Sequence, residues 1–240
     1  MTRRRLIPLL VTVLALGVVL VAADLAARSW ATARVAGELR ARYDLPADPA
    51  VDLAGGSFLL QALRGRFEDV TVRAEDVPAG SVALHDVRVR IPAVDVPREV
   101  LLGRPGTVDV AAGTVRAEVS FDDLARQVSA RGLDVALARS GDAVRATTRV
   151  EVFTLGLDLA LRVRPELDGS TVRLQPLDAE VAGADVSLRR AEDLLEAAGY
   201  DGWSVALTDV PAEVELQDLQ VVDAGVLVRG AVRAGAVDVG

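Results

Sequence analysis

The chain has 240 residues, is 51% hydrophobic and 26% charged, and carries 27 basic against 35 acidic residues, a formal net charge of -8. That apolar fraction excludes disorder, and the acidic balance argues against a charge-driven nucleic-acid binder. The lack of Cys excludes a disulfide scaffold, a Cys-based zinc site and a cysteine nucleophile, and His85 is the one imidazole available to catalysis or a metal.

The N-terminus opens with Arg3, Arg4 and Arg5, followed by an apolar run from Leu6 to Ala23 that Asp24 ends. At about 1.5 Å per residue the run is just long enough for a hydrocarbon core of about 30 Å. The Arg cluster stays cytoplasmic by the positive-inside rule, which places the rest of the chain outside. Two readings stand: an uncleaved membrane anchor, or a signal peptide cleaved after Ala23 behind Val21-Ala22-Ala23. Without residues 1–23 the chain keeps 24 Arg against 35 acids, a net charge of -11.

Residues 24–48 read as a juxtamembrane helix and linker. Leu25, Ala33, Ala36 and Leu39 form a weak stripe, Trp30 suits a membrane interface, and Leu45-Pro46 with Asp48-Pro49 ends the helix. From 49 to 240 the chain alternates with period 2, the signature of antiparallel strands. Val70 and Val72 share a face. Val82 and Leu84 give way to Val87, Val89 and Ile91 in the opposite parity, which predicts a bulge at His85-Asp86. Gly113 marks another switch, before Val115, Ala117 and Val119. Val144 to Val152 alternates, and Phe153, Leu155, Leu157, Leu159, Leu161 and Val163 form the longest apolar stripe, with Asp158, Arg162 and Arg164 opposite. Asp168-Gly169 and Asp223-Ala224-Gly225 read as turns.

Three short helices interrupt the strands. Ser57 caps the one ending at Arg64, Ser120 caps Phe121 to Ala130, and Leu188 to Ala198 puts Leu188, Ala191, Leu194 and Leu195 on one side. The fold class is therefore α+β: a long antiparallel sheet with short helices behind one N-terminal transmembrane or signal helix.

Chemical motifs are absent. There is no P-loop, no G-x-G-x-x-G and no G-x-S-x-G, and His85 is expected to be a surface or satisfied core residue of a strand. The paired acids read as solvated surface, with Asp122-Asp123 favouring the positive end of a helix. No metal site, catalytic residue or cofactor is assigned. Arg162, Arg164 and Arg189 are candidates for a lipid phosphate, against the plainer reading of a polar strand or helix face.

The segment Val51 to Val72, with Gly55-Gly56-Ser57-Phe58-Leu59-Leu60-Gln61-Ala62-Leu63-Arg64-Gly65 at its centre, resembles the LmeA-like phospholipid-binding family of actinobacteria. Ser81 to Ile91, Ser120 to Leu124 and Val221 to Gly230 resemble that family's later strands and helix start. The resemblance covers nearly everything after Pro49 as well as the export segment. It implies a fold like the tubular lipid-binding domains, a long curled antiparallel sheet with an apolar groove for acyl chains, and a secreted or anchored envelope protein that binds phospholipid and supports envelope glycolipid synthesis. It carries no catalytic motif.

Long alternating strands agree with this, since they expose a broad apolar face that bound acyl chains could cover at about 0.8 kcal/mol per methylene. The expected groove residues are the large apolar side chains of the short helices and the longest strand: Phe58, Leu59, Leu63, Phe121, Leu124, Phe153, Leu155, Leu157 and Leu159. The expected function is an extracytoplasmic phospholipid-binding or lipid-transfer protein at the outer face of the cytoplasmic membrane. The alternatives are a non-catalytic envelope scaffold that binds a protein partner and has no lipid pocket, and a hydrolase acting on envelope lipid.

Overall fold

A computed structural model describes residues 3–79, 82–130, 134–152, 155–169, 171–197, 204–206 and 213–239. In chain order the first elements are α1 (Arg3–Tyr43), β1 (Ala50–Leu53), α2 (Phe58–Arg64), β2 (Arg66–Ala79), β3 (Val82–Asp95), α3 (Arg98–Leu101), β4 (Gly106–Val110), β5 (Gly113–Ser120) and α4 (Phe121–Ser129). There follow β6 (Val135–Ser140), β7 (Ala143–Val152), β8 (Leu155–Asp168), β9 (Thr171–Val181), β10 (Ala184–Val186), α5 (Leu188–Ala197), β11 (Ser204–Ala206), β12 (Val214–Val221), β13 (Gly225–Val232) and β14 (Gly235–Val239).

The α+β class stands, and the strands divide between two antiparallel sheets rather than forming one. The larger runs β1-β2-β3-β5-β13-β12, with β4 on β3 and β14 on β4. The smaller runs β10-β9-β8-β7-β6, with β11 on β9. The chain leaves the larger sheet after β5, crosses α4, builds the smaller sheet, and returns as β12 and β13. β13 then pairs with β5 along its whole length, from Gly225↔Ser120 to Val232↔Gly113.

The local signals explain most elements. Ser57 and Ser120 both cap helices, accepting from the amides of Leu60 and Asp123. Gly65 ends α2 at φ 69°, where a β-carbon would stand 2.8 Å from the Val96 carbonyl oxygen. The expected bulge is present: β3 slips by one residue against β5 between His85 and Arg88, and Asp86 takes φ 44°. Gly225 opens β13 because a β-carbon there would lie 2.1 Å from the Val119 carbonyl oxygen. The one-turn helix α3 and the last strand β14 carry no periodic signal long enough to predict them.

The two sheets meet over one core. Phe121 of α4, Val144 of β7, Leu159, Leu161 and Val163 of β8, Ala179 of β9, Ala191 of α5, Val221 of β12 and Val226 of β13 are all buried in it. Leu124, Leu137, Leu174, Leu188 and Leu219 pack around them. The odd-numbered stripe of β8 faces this core, while Asp158, Arg162 and Arg164 point away and pair with Arg149, Asp178 and Asp142. Those pairs are exposed and each contributes little to stability. The start of α4 is tied down by the Phe121 amide, which donates to the Ala224 carbonyl in the β12–β13 turn at 2.9 Å.

α1 is one continuous helix of 41 residues, about 62 Å long at the standard rise. Its C-terminal half lies against β1 and α2, with Ala36 buried. From Leu14 to Val21 its side chains are exposed.

Candidate lipid-binding face

The larger sheet has two chemically different faces, and register shows how each is assembled. On one, Leu53, Val70 and Ile91 line up across β1, β2 and β3. The next row is Val51, Val72, Val89, Val115, Gly230 and Leu216, crossing six strands. Ala117, Val228 and Leu219 follow, then Val119, Val226 and Val221. Burial grades along this face. Ala117, Val221 and Val226 are buried where they join the core, whereas Leu53, Val70, Val72, Val89, Ile91, Val115 and Val228 are half-buried. The cover supplied by α4 and the smaller sheet stops before it reaches β2 and β1.

The opposite face is polar. Arg73, Arg88, Arg116 and Arg229 stand in register across β2, β3, β5 and β13. Like charges directly opposite destabilise a sheet, so carboxylates are interleaved. Asp86, turned by the bulge, accepts from Arg116 at 2.5 Å, and Asp218 accepts from Arg229 at 2.9 Å. Asp69, at φ 51°, takes Arg90 through two bonds of 2.6 and 2.9 Å, and that guanidinium holds Asp69 below the usual carboxylate range. Arg88 Nε is buried with no hydrogen-bond partner among the described residues.

A clamp joins α4 to this sheet. The two ring nitrogens of His85 lie 2.6 Å from Asp76 Oδ1 and 2.7 Å from Asp123 Oδ2. Only the imidazolium can donate to both carboxylates. The bond to Asp123, opposed by desolvation and helped by Asp76, raises the His85 pKa above its ordinary value. Asp123 is buried, and its carboxylate also accepts from the Ser120 hydroxyl at 2.6 Å and pairs with Arg126. The Ser120 and His85 bonds hold Asp123 below the usual carboxylate range. The paired acids read as solvated surface, but Asp123 is the buried centre of this cluster, met by His85 from the bulged stretch of β3 and by Ser120.

The predicted groove residues separate into groups. Phe121, Leu124 and Leu159 come together, but in the core between the sheets, where Leu159 is only 2% exposed. Leu157 is half-buried one step along β8, Leu155 opens that strand, and Phe153 lies outside the described residues. Phe58, Leu59 and Leu63 sit on α2, next to β2; Phe58 is buried against Phe67 with ring centroids 5.7 Å apart, and Leu59 and Leu63 are exposed. Arg162 and Arg164 are engaged by Asp178 and Asp142, and Arg189 is exposed near the start of α5. The half-buried valines of the larger sheet lie outside the expected groove residues, although the sequence shows their alternation. The signal that would have found them is the number of such strands that pair side by side.

An antiparallel α+β protein with one amphipathic, incompletely covered sheet, led by a helix long and apolar enough to cross a membrane, is the class these features define. Residues 22–231 match the family model described as LmeA-like phospholipid-binding, and the chain belongs to that family. No curated protein and no solved structure matches it.

Proposed function

We propose that this chain is a non-catalytic phospholipid-binding protein that lays acyl chains along the half-buried apolar face of its larger sheet. The observation that carries this is the row Val51, Val72, Val89 and Val115 with its neighbours Leu53, Val70 and Ile91, none of which the protein's own helices bury fully. Membership of a phospholipid-binding family supports the ligand class. Acyl chains on these valines would gain about 25 cal/mol for each Å² removed from water. An apolar face selects chain length poorly, so headgroup contacts would set any preference.

In this reading α1 anchors the protein, with Arg3 to Arg5 in the cytoplasm and the two sheets outside, in the cell envelope. The protein holds or transfers lipid for envelope glycolipid synthesis. Native mass spectrometry of the full chain, with lipid extraction alongside, tests the binding. A stoichiometric adduct of phospholipid mass is expected. A clean protein mass, with no lipid extracted and none taken up from liposomes, sinks the reading and favours a scaffold that meets a protein partner.

A further inference from the structure

The last apolar residue of the N-terminal run is Ala23, and the next residue builds a joint. The Asp24 carboxylate accepts from the Ser57 hydroxyl at 2.6 Å, the Leu59 amide at 2.8 Å and the Phe58 amide at 3.1 Å. One turn on, Arg28 donates to the Gly56 carbonyl at 2.8 Å. The start of α2 is therefore bonded to α1 at the point where the apolar run stops. A charge at that point would be costly beside hydrocarbon, and three donors lower the cost by satisfying its oxygens.

α2 carries an exposed apolar surface. Leu59 is 41% exposed, Leu60 44% and Leu63 67%. At the other end of α2 the Gly65 carbonyl accepts from the Val96 amide at 2.7 Å, which brings α3 and its following turn to the same end of the sheet. That segment adds Leu101, 40% exposed, and Leu102, 77% exposed. Five exposed leucines thus lie on two segments joined through the Val96–Gly65 bond, and the first of these segments lies against α1. Single exposed apolar residues are ordinary on a protein surface; a cluster of this kind marks a contact surface.

We propose that Leu59, Leu60 and Leu63 of α2, with Leu101 and Leu102, enter the interfacial layer of the same leaflet that α1 crosses, at a depth set by the Asp24 joint. The occupant is a lipid surface rather than a protein, because α1 is continuous from the apolar run through Asp24 and cannot leave the bilayer without carrying α2 at its boundary. This rests on the anchoring of α1 proposed above, and it adds a second contact. The sheet is then tethered and also seated, with its β1–β2 edge at the membrane, where lipid would pass to the apolar face.

The chain has no cysteine, so single labels can be placed without background. Full-length Val18→Cys, Leu63→Cys and Ala138→Cys variants, each carrying an environment-sensitive fluorophore, would be reconstituted in phosphatidylcholine–phosphatidylglycerol vesicles. Quenching would be read with lipids spin-labelled near the headgroup or near the chain end. The expected result is loss of fluorescence at residue 18 with both quenchers, loss at residue 63 with the shallow quencher above all, and none at residue 138 on the smaller sheet. Adding Asp24→Ala should restore much of the fluorescence at residue 63 and leave residue 18 quenched. Quenching at residue 18 without quenching at residue 63 overturns the proposal and spares the anchor. No quenching at residue 18 removes the anchor, and the proposal with it. Equal quenching at residues 63 and 138 overturns it as general adsorption. Quenching at residue 63 that is unaltered by Asp24→Ala overturns the role of the joint.

Discussion

The two sheets handle the same alternating pattern differently. In the smaller sheet the apolar stripe of β8 meets α4, α5, β12 and β13, and the contact closes to a core in which Leu159 is 2% and Ala191 0% exposed. In the larger sheet an apolar face of comparable composition is sealed only at the β5–β13–β12 end and stays half-buried across β1, β2 and β3. The difference lies in how completely each face is covered: α1 touches β1 and α2 touches β2 without burying these side chains. Alternation makes an apolar face, but only the packing of a second layer makes a core. Under the proposed function the lipid-binding role falls to the larger sheet, and a stabilising role to the smaller.

The contrast is broken most directly at Leu159. Leu159→Ala should cost about 2–5 kcal/mol, the range for truncating a buried leucine, with lipid content per folded molecule unchanged. Chemical unfolding and lipid extraction would check this; a folded, stable but lipid-free variant would assign lipid to the closed core. Next comes a pair of carboxylate substitutions. Val72→Asp on the open face should lower lipid uptake by about tenfold or more, since placing a carboxylate against acyl chains costs at least the ~1.4 kcal/mol that a factor of ten represents. Leu157→Asp, at the margin of the smaller sheet, should lower uptake less in whatever fraction folds. The reverse order would move the site to β8.

A smaller effect is expected at the clamp between the halves. Ser120→Ala removes the α4 cap and one bond to Asp123, and should cost about 1–2 kcal/mol in thermal unfolding. An unchanged melting temperature would show that α4 is held by packing alone. The smallest effect is a pH dependence. Because the folded state raises the His85 pKa, its contribution is complete below about pH 6.5 and is lost as pH rises through the folded value. Asp123 is lowered, so its contribution is present above about pH 3.9 and is lost as pH falls through its folded value. The clamp should hold best between those limits. His85→Gln should flatten the alkaline loss of stability, and an unaltered slope would remove His85 as its source.

Much of the fold was legible. Ser57, Gly65, Ser120 and Gly225 act where their side chains or their lack of one predict, and the bulge at Asp86 follows from the change of parity between Leu84 and Val87. These features are local, each decided within a turn or two of chain. The spacing of Arg88 and Arg90 puts them on one face of a strand. That Arg88 joins Arg73, Arg116 and Arg229 in a row depends on the pairing of strands far apart in sequence. For the proposed site the sequence supplies a class of residue, apolar and alternating, while its place depends on which strands pair. Large apolar side chains were favoured, and in the fold three of them, Phe121, Leu124 and Leu159, went to the core, because bulk is what a core buries first.

By itself, then, the amino-acid sequence determined the antiparallel α+β character, the caps and turns, the apolar N-terminal run, and the lack of residues for most metal or cysteine chemistry. Each of these depends on composition or on neighbours within a few residues. Tertiary structure alone decided that the strands form two sheets, that Asp24 bonds α2, that His85 reaches Asp123, and that the valines of β2, β3 and β5 form the open face. Those outcomes turn on long-range register and on which surface a covering helix reaches, and neither is encoded in the period of any one segment.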